Sequence, residues 1–255
     1  MEKRFIATNN LLLQQDFTSR WQAPSNIALV KYWGKVEPQL PKNASLSFTL
    51  SNAVTQTEVH FSHLKKPANK VQFSIFFEGK EAPDFRSKLE TFFERILPYQ
   101  SFLAHYQLNI NTQNTFPHSS GIASSASSMA ALSACLVDFE SSKLSISEEE
   151  KQAKISFLAR LGSGSACRSV VGPVMAWGAH PSVDNSSDIL AVSVPDIHPV
   201  FTQFHDTILL IDKGQKQVSS TLGHNLMQNH PYAEKRFAQA NAHLTQLLPI
   251  LQQGD

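Results

Sequence analysis

Cysteine is scarce in this chain of 255 residues: Cys135 and Cys167 stand far apart, with no CxxC pair and no Cys/His spacing suited to zinc. The ten histidines are scattered and form no HExxH motif. Charge of one sign is lacking too, since 22 Lys and Arg face 21 Asp and Glu for a net charge of +1. Such a balance leaves no electrostatic footprint for nucleic acid or an anionic membrane. No apolar run approaches the roughly 18 residues of a transmembrane helix. Residues 1–20 contain no continuous apolar stretch ahead of a small-residue cleavage site. The expected location is therefore the cytoplasm, with neither nucleic-acid nor membrane partners. Also missing are the Walker pattern GxxxxGK[ST], the third glycine of a dinucleotide fingerprint and the GxSxG elbow of serine hydrolases. Cys135 lies on an apolar helical run and reads as a small core residue. Cys167 precedes Arg168, which favours a thiolate, but it has no histidine nearby in sequence and is not expected to act as a nucleophile.

What the chain does have is small residues in two runs and a cluster of cations. Residues 119–128 hold six serines and one glycine, and the apolar helical run 129–137 follows directly. Unpaired backbone N–H groups at a helix start attract anions, and small side chains let a phosphate approach them. A serine-rich N-cap on a buried helix fits the same residues. A second segment is Lys31-Tyr32-Trp33-Gly34-Lys35 at a strand end, where two lysines can meet phosphate and a tyrosine offers a hydroxyl. Two solvated lysines at a strand end are its plainer reading. The third is Gly162-Ser163-Gly164-Ser165-Ala166-Cys167-Arg168-Ser169, where alternating Gly and Ser keep the backbone near an anion and Arg168 supplies a fork for phosphate or carboxylate. The plainer reading there is a helix capped by Gly162 and a flexible turn. Two anion loops, three cations and a tyrosine in one chain suit two phosphate-bearing ligands.

Pattern and punctuation predict strands over 26–33, 45–50, 55–61, 71–77, 108–112 and 170–177, with helices over 84–96 and 147–161. A strand over 207–212, a helix over 219–228 and a long helix from 231 to about 252 complete the reading. Residues 1–22 read as polar and irregular. The Pro-, Ser-, Asn- and Asp-rich stretch 180–188 marks a boundary between subdomains. The elements describe a mixed α/β protein.

The segments 23–35, 43–47, 117–127, 162–168 and 218–221 together resemble the diphosphomevalonate decarboxylase family of the GHMP kinase superfamily. KYWGK combined with GSGSACR is far more specific than any single glycine-rich loop. The resemblance implies an α/β (α+β) GHMP-kinase fold with a left-handed βαβ unit. Residues 1–182 would form a ribosomal-protein-S5-like domain, and residues 183–255 would begin an incomplete ferredoxin-like subdomain. It further implies an ATP- and Mg²⁺-dependent decarboxylation of mevalonate 5-diphosphate to isopentenyl diphosphate, in a homodimer. Carried over by position, Lys31 and Arg168 are the catalytic candidates. Tyr32, Lys35, Ser163, Ser165, Arg168 and Thr221 would bind substrate. Ser119, Ser120, Gly121, Ala123, Ser124, Ser125 and Ser127 would form the nucleotide loop, with Ser125 the candidate for meeting ATP-bound Mg²⁺. Trp33 is expected to pack rather than to touch ligand.

Two departures stand out: Pro117-His118-Ser119-Ser120 replaces the common Pro-Thr-Ala-Ala, and Thr221 stands where some bacterial members carry arginine. The family's catalytic aspartate lies in an Asp-Ala-Gly segment that has no match among Asp206, Asp212 or Asp255, so the resemblance implies a chain lacking the C-terminal part. Alternatives on the same loops are a related kinase or decarboxylase acting on mevalonate or its monophosphate, and a nucleotide-binding fragment without catalysis.

Overall fold

Inward Phe17, Ser19, Trp21 and Ala23 alternate with outward Thr18, Arg20 and Gln22, and this period of two starts the first strand, β1 (Phe17–Val30). The strand begins earlier than its sequence suggests because one inward position is a serine, which thins the apolar signal. It also ends at Val30 rather than Trp33, leaving residues 31–34 of KYWGK outside any strand. The computed structural model describes residues 2–7, 16–117, 121–207, 209, 223 and 226–255. A hairpin of β2 (Lys35–Val36) and β3 (Leu40–Pro41) follows. The two strands expected over 45–50 and 55–61 are one 19-residue strand, β4 (Ser45–His63). β1 runs antiparallel to it, and a register slip makes Val54 the partner of Pro24 but Leu50 the partner of Ser25. Residues 51–53 of β4 are thereby left without partners on β1, a bulge in β4 opposite Pro24 and Ser25.

The remaining strands are β5 (Gln72–Phe77), β6 (Lys80–Glu81), β7 (Tyr106–Asn114), β8 (Val174–Trp177) and β9 (Ala191–Ser193). They form a sheet of order β6-β5-β7-β4-β8-β9, with β1 paired along β4. β5 and β7 are parallel and are joined through α1 (Arg86–Ile96), as parallel neighbours require. α1 buries Leu89, Phe92, Phe93 and Ile96 as its spacing predicts. α2 (Ser124–Ser141) is buried along most of its length. α3 (Glu148–Gly162) opens with a capping box between Ser147 and Glu150. Gly162 is the last helical residue rather than a stop beyond the helix: a Cβ there would lie 2.5 Å from the Met129 sulfur and 2.9 Å from Phe92. Glycine is needed at that point for close packing, not for a left-handed turn.

The main core lies between the sheet and α1–α3, with the ring of Phe61 stacked 4.6 Å from that of Phe139. A second cluster joins Leu46, Val174, Ala176, Val183 and Val194 to Leu244, Leu248 and Leu251 of α4 (Ala233–Gln253). Alternation on β4 explains the division. Leu46 points to α4, while Ser45 and Ser47 point to the opposite face. The strand expected over 207–212 and the helix over 219–228 fall largely outside the described residues; residues 226–229 form a turn. Among the described residues no helix is long and apolar enough to cross a membrane, and no group of three His, Cys, Asp or Glu side chains could hold a metal ion.

Candidate active site

The turn after α3 forms a short helical segment, Gly164–Arg168, that buries Arg168 against the sheet. Its Nε donates to Ser47 Oγ at 2.9 Å, Nη1 donates to Ser45 Oγ, and Nη2 donates to Asn26 Oδ1 at 3.4 Å. The guanidinium also lies 5.8 Å from the Trp177 ring and 6.0 Å from that of Tyr32. Every one of these protein partners is neutral. A buried cation with neutral acceptors carries a charge that an anionic ligand can compensate. Ser163 and Ser165 flank it, half-buried, and the Ser165 carbonyl accepts from Asn26 Nδ2 at 3.2 Å. Cys167 is buried, and burial pushes its thiol up to about 12 even though Arg168 and Arg160 pull it down, which agrees with a packing role.

Of KYWGK, Tyr32 reaches the same place, while Lys35 lines a separate cleft with Gly34 and Phe237. Tyr32 is buried with its ring edge-on to Trp177 at 4.9 Å, and a Cβ on Gly164 would lie 3.2 Å from its hydroxyl. Burial pushes the phenol up to about 12, with Arg168 acting in the opposite direction, so the hydroxyl is a proton donor at neutral pH. A pH dependence follows. The folded chain holds this proton more firmly than the unfolded chain, so the associated stability is present below pH 10 and lost as pH rises toward about 12. A tyrosinate difference titration of wild type against Tyr32→Phe should show this late ionisation; a missing component near 10 instead would sink the assignment.

Lys31 is exposed, and Lys35 is half-buried with Nζ 3.2 Å from Gln39 Oε1 and 3.4 Å from Glu37. Trp33 is half-buried, with the guanidinium of Arg236 4.8 Å from its ring and the Lys31 ammonium 5.9 Å away. α4 supports this loop closely: a Cβ on Gly34 would meet Phe237 at 2.8 Å, and Asn241 Oδ1 accepts from the Ala44 N–H at 3.0 Å.

The serine run starts α2 earlier than expected, at Ser124. Ala123 precedes it in a left-handed conformation with no side-chain cap on the helix, and Gly121 (φ +87°) has open space where a Cβ would sit. Ser124 and Ser125 are partly exposed at the helix start. Ser127 is a correction. It is fully buried, and its hydroxyl bonds to Thr55 Oγ1 at 2.6 Å and the Ser124 carbonyl at 3.2 Å, so it ties α2 to β4 instead of facing a ligand. Ser119, Ser120 and Thr221 lie outside the described residues.

Consecutive residues of β1, opposite the β4 bulge, connect the two loops. Fully buried Ser25 donates to the Ile122 carbonyl of the serine loop, while Asn26 reaches Ser165, Ser169 and Arg168 of the Gly/Ser turn. Sequence reasoning assigned no role to Ser25, Asn26, Ser45 or Ser47. Their signal was polar residues at inward strand positions next to the motifs. A recess of about 90 Å³ lined by Phe77, Phe85, Leu89, Met129 and Leu132 opens beside Ser125. A wider groove of about 1350 Å³ between the N-terminal segment, α3 and residues 184–193 contains none of the candidate residues.

A mostly antiparallel sheet backed by helices, with an uncapped helix start and a buried arginine turn joined through one strand, defines an α/β protein of the GHMP-kinase type. Residues 23–189 match the diphosphomevalonate decarboxylase-like N-terminal domain, and the chain belongs to that family. A diphosphomevalonate decarboxylase from Ganoderma lucidum is 35% identical over 215 residues, covering 79% of this chain and 51% of the relative. The chain thus spans about half the length of that relative. Crystallised mevalonate diphosphate decarboxylase from Staphylococcus aureus is similar with a TM-score of 0.74 at 28% identity, covering 94% of this chain and 68% of that one. A structure of MDDEF in complex with MVAPP, AMPPCP and magnesium gives a TM-score of 0.71 at 28% identity, covering 94% and 70%.

Proposed function

We propose that this chain supplies the ATP- and substrate-binding region of an enzyme that decarboxylates mevalonate 5-diphosphate to isopentenyl diphosphate, releasing ADP, phosphate and CO₂. The observation that carries the reading is the Ser25–Asn26 pair, which holds an open helix start and a buried, neutrally ligated arginine to adjacent points of one strand. Two anionic ligands meeting there would account for both features. The MDDEF complex with MVAPP, AMPPCP and magnesium supports the choice of ligands.

The residues fit ATP with Mg²⁺: the uncapped α2 start and open Gly121 suit phosphates, and the apolar recess beside Ser125 suits a base. Without an acidic cluster among the described residues, Mg²⁺ would be held chiefly by phosphates, water and the Ser125 hydroxyl. When bound, ATP with Mg²⁺ supplies the phosphoryl group that turns a tertiary hydroxyl into a leaving group. The chain's own residues bind and orient. Arg168 holds the substrate carboxylate, Lys31 stands near the reacting hydroxyl, and Lys35, protonated Tyr32, Ser163 and Ser165 hold the diphosphate. Residues 1–182 are proposed as the domain bearing these groups, with a second domain starting at 183.

Replacing Ser125 by phenylalanine is expected to lower AMPPCP–Mg²⁺ affinity by about tenfold or more by blocking the helix start. Titration calorimetry reads the result, and unchanged affinity would remove the nucleotide loop from this assignment. Equal binding of mevalonate, its monophosphate and its diphosphate would replace the proposed substrate with a simpler one.

A further inference from the structure

We propose that Gln39 and Arg160 are positioning residues for Lys35, setting where its ammonium meets the substrate diphosphate; this rests on the reading of Lys35 as a phosphate contact. Neither residue stands out in the sequence. Arg160 is fully buried in α3 and reaches across to the β2–β3 turn, where Nη1 donates to the Pro38 carbonyl at 2.6 Å and to that of Gln39 at 3.4 Å. Its Nε donates to the Ile189 carbonyl at 2.8 Å. Glu2 is the nearest acidic group, 3.7 Å from Nη2. Burying a guanidinium mainly against carbonyls is costly, and it persists only where the geometry it fixes is closely determined.

Gln39 is the link between this grip and the lysine. Its backbone is left-handed (φ 58°), a strained state for glutamine, and the residue is 8% exposed. Its amide oxygen accepts from Lys35 Nζ at 3.2 Å, and Glu37 lies 3.4 Å from the same nitrogen. Glu37 is fixed in turn by Arg95 of α1 at 2.7 Å, and Arg95 also donates to the Leu161 carbonyl at 3.0 Å. One of the three ammonium donors is thereby directed to Gln39, and the charge of Glu37 holds the same nitrogen in place. A cleft of about 570 Å³ lined by Gly34, Lys35, Lys42, His230 and Phe237 lies in front of it. A lysine normally loses rotamer freedom when it binds. Here the folded chain has already ordered it, so the grip favours diphosphate binding in particular.

A purely structural role for the turn would change stability alone, and one substitution separates the two roles. Gln39→Asn suits φ 58° better than glutamine does, but its amide is one methylene too short to reach Lys35. The readout is the ratio of affinities for mevalonate 5-diphosphate and mevalonate, by calorimetry on the 255-residue chain, with thermal unfolding measured alongside. Lys35→Ala should lower that ratio about tenfold, and Gln39→Asn should lower it ~3-fold or more with an undiminished melting temperature. Arg160→Lys should lower both the ratio and the melting temperature. If Lys35→Ala leaves the ratio unchanged, the phosphate role of Lys35 fails and takes the proposal with it. If Lys35→Ala lowers the ratio but Gln39→Asn does not, the phosphate role stands and positioning is overturned. Equal loss of affinity for both ligands in Gln39→Asn would also overturn it.

Discussion

Arg168→Met is expected to weaken binding of mevalonate 5-diphosphate by about 100-fold, or ~3 kcal/mol, the loss that follows when one partner of a buried charge pair is removed. The size follows from the protein partners, which are two serine hydroxyls and an asparagine amide oxygen. None of them neutralises the guanidinium, so an incoming carboxylate meets its full charge between the Trp177 and Tyr32 rings. Arg168→Lys is not expected to rescue binding, since an ammonium cannot span Ser45, Ser47 and Asn26 at once. A complementary variant tests the charge itself. Ser47→Asp places a carboxylate beside Nε, now 2.9 Å from the hydroxyl, and should depress affinity while keeping the arginine. AMPPCP affinity measured on the same samples checks that the fold survives. Retention of substrate affinity within about twofold in Arg168→Met would remove this residue from the site.

The largest stability effect is expected at Lys154, away from the ligand loops. Its ammonium is 2.6 Å from Glu140, and the two side chains are 6% and 4% exposed. Burial lowers the lysine pKa, and Glu140 acts against that shift. Lys154→Met would leave Glu140 as a buried carboxylate held only by Gln100 at 3.1 Å. Breaking such a pair costs about 3–5 kcal/mol. For a chain of this size, that corresponds to a fall in melting temperature of ~10 °C. Replacing Glu140 by leucine as well should recover most of the loss, because two apolar side chains of suitable volume need no counter-charge. A double variant as unstable as the single one would show that the volume matters more than the ion pair.

The helices and much of the site were legible in the sequence because their signals are local. The 3.6-residue spacing of Leu89, Phe92, Phe93 and Ile96 marks α1, and Ser147 with Glu150 marks the start of α3. Arg168, Tyr32 and Lys35 stood out through their motifs, and the structure brings Arg168 and Tyr32 together. What was missed depends on contacts distant in sequence. Phe17–Gln22 becomes a strand because β4 lies beside it. Ser127 matches its neighbours in composition and is separated from them only by helical phase, which turns it toward Thr55. Gly162 looked like a helix stop until Met129 and Phe92 were seen against it. Arg160 had no pattern at all, since two of the carbonyls it binds lie more than a hundred residues earlier in the chain and the third, of Ile189, lies beyond the helix.

β4 has a consequence for how such a protein can change. At about 3.3 Å per residue its 19 residues extend for roughly 60 Å, with Ser45 and Ser47 holding the arginine near one end and Thr55 fixing the serine helix further along. The strand therefore acts as a ruler, and its odd and even marks face different neighbours. Loss of one residue from the paired stretch 47–50 would shift the spacing of the two anchor points and, unless the unpaired residues 51–53 took up the slip, invert the parity of one of them, so that either arginine or helix faced the wrong side. Length variation should accumulate instead in the turn at residues 64–71, which carries neither anchor.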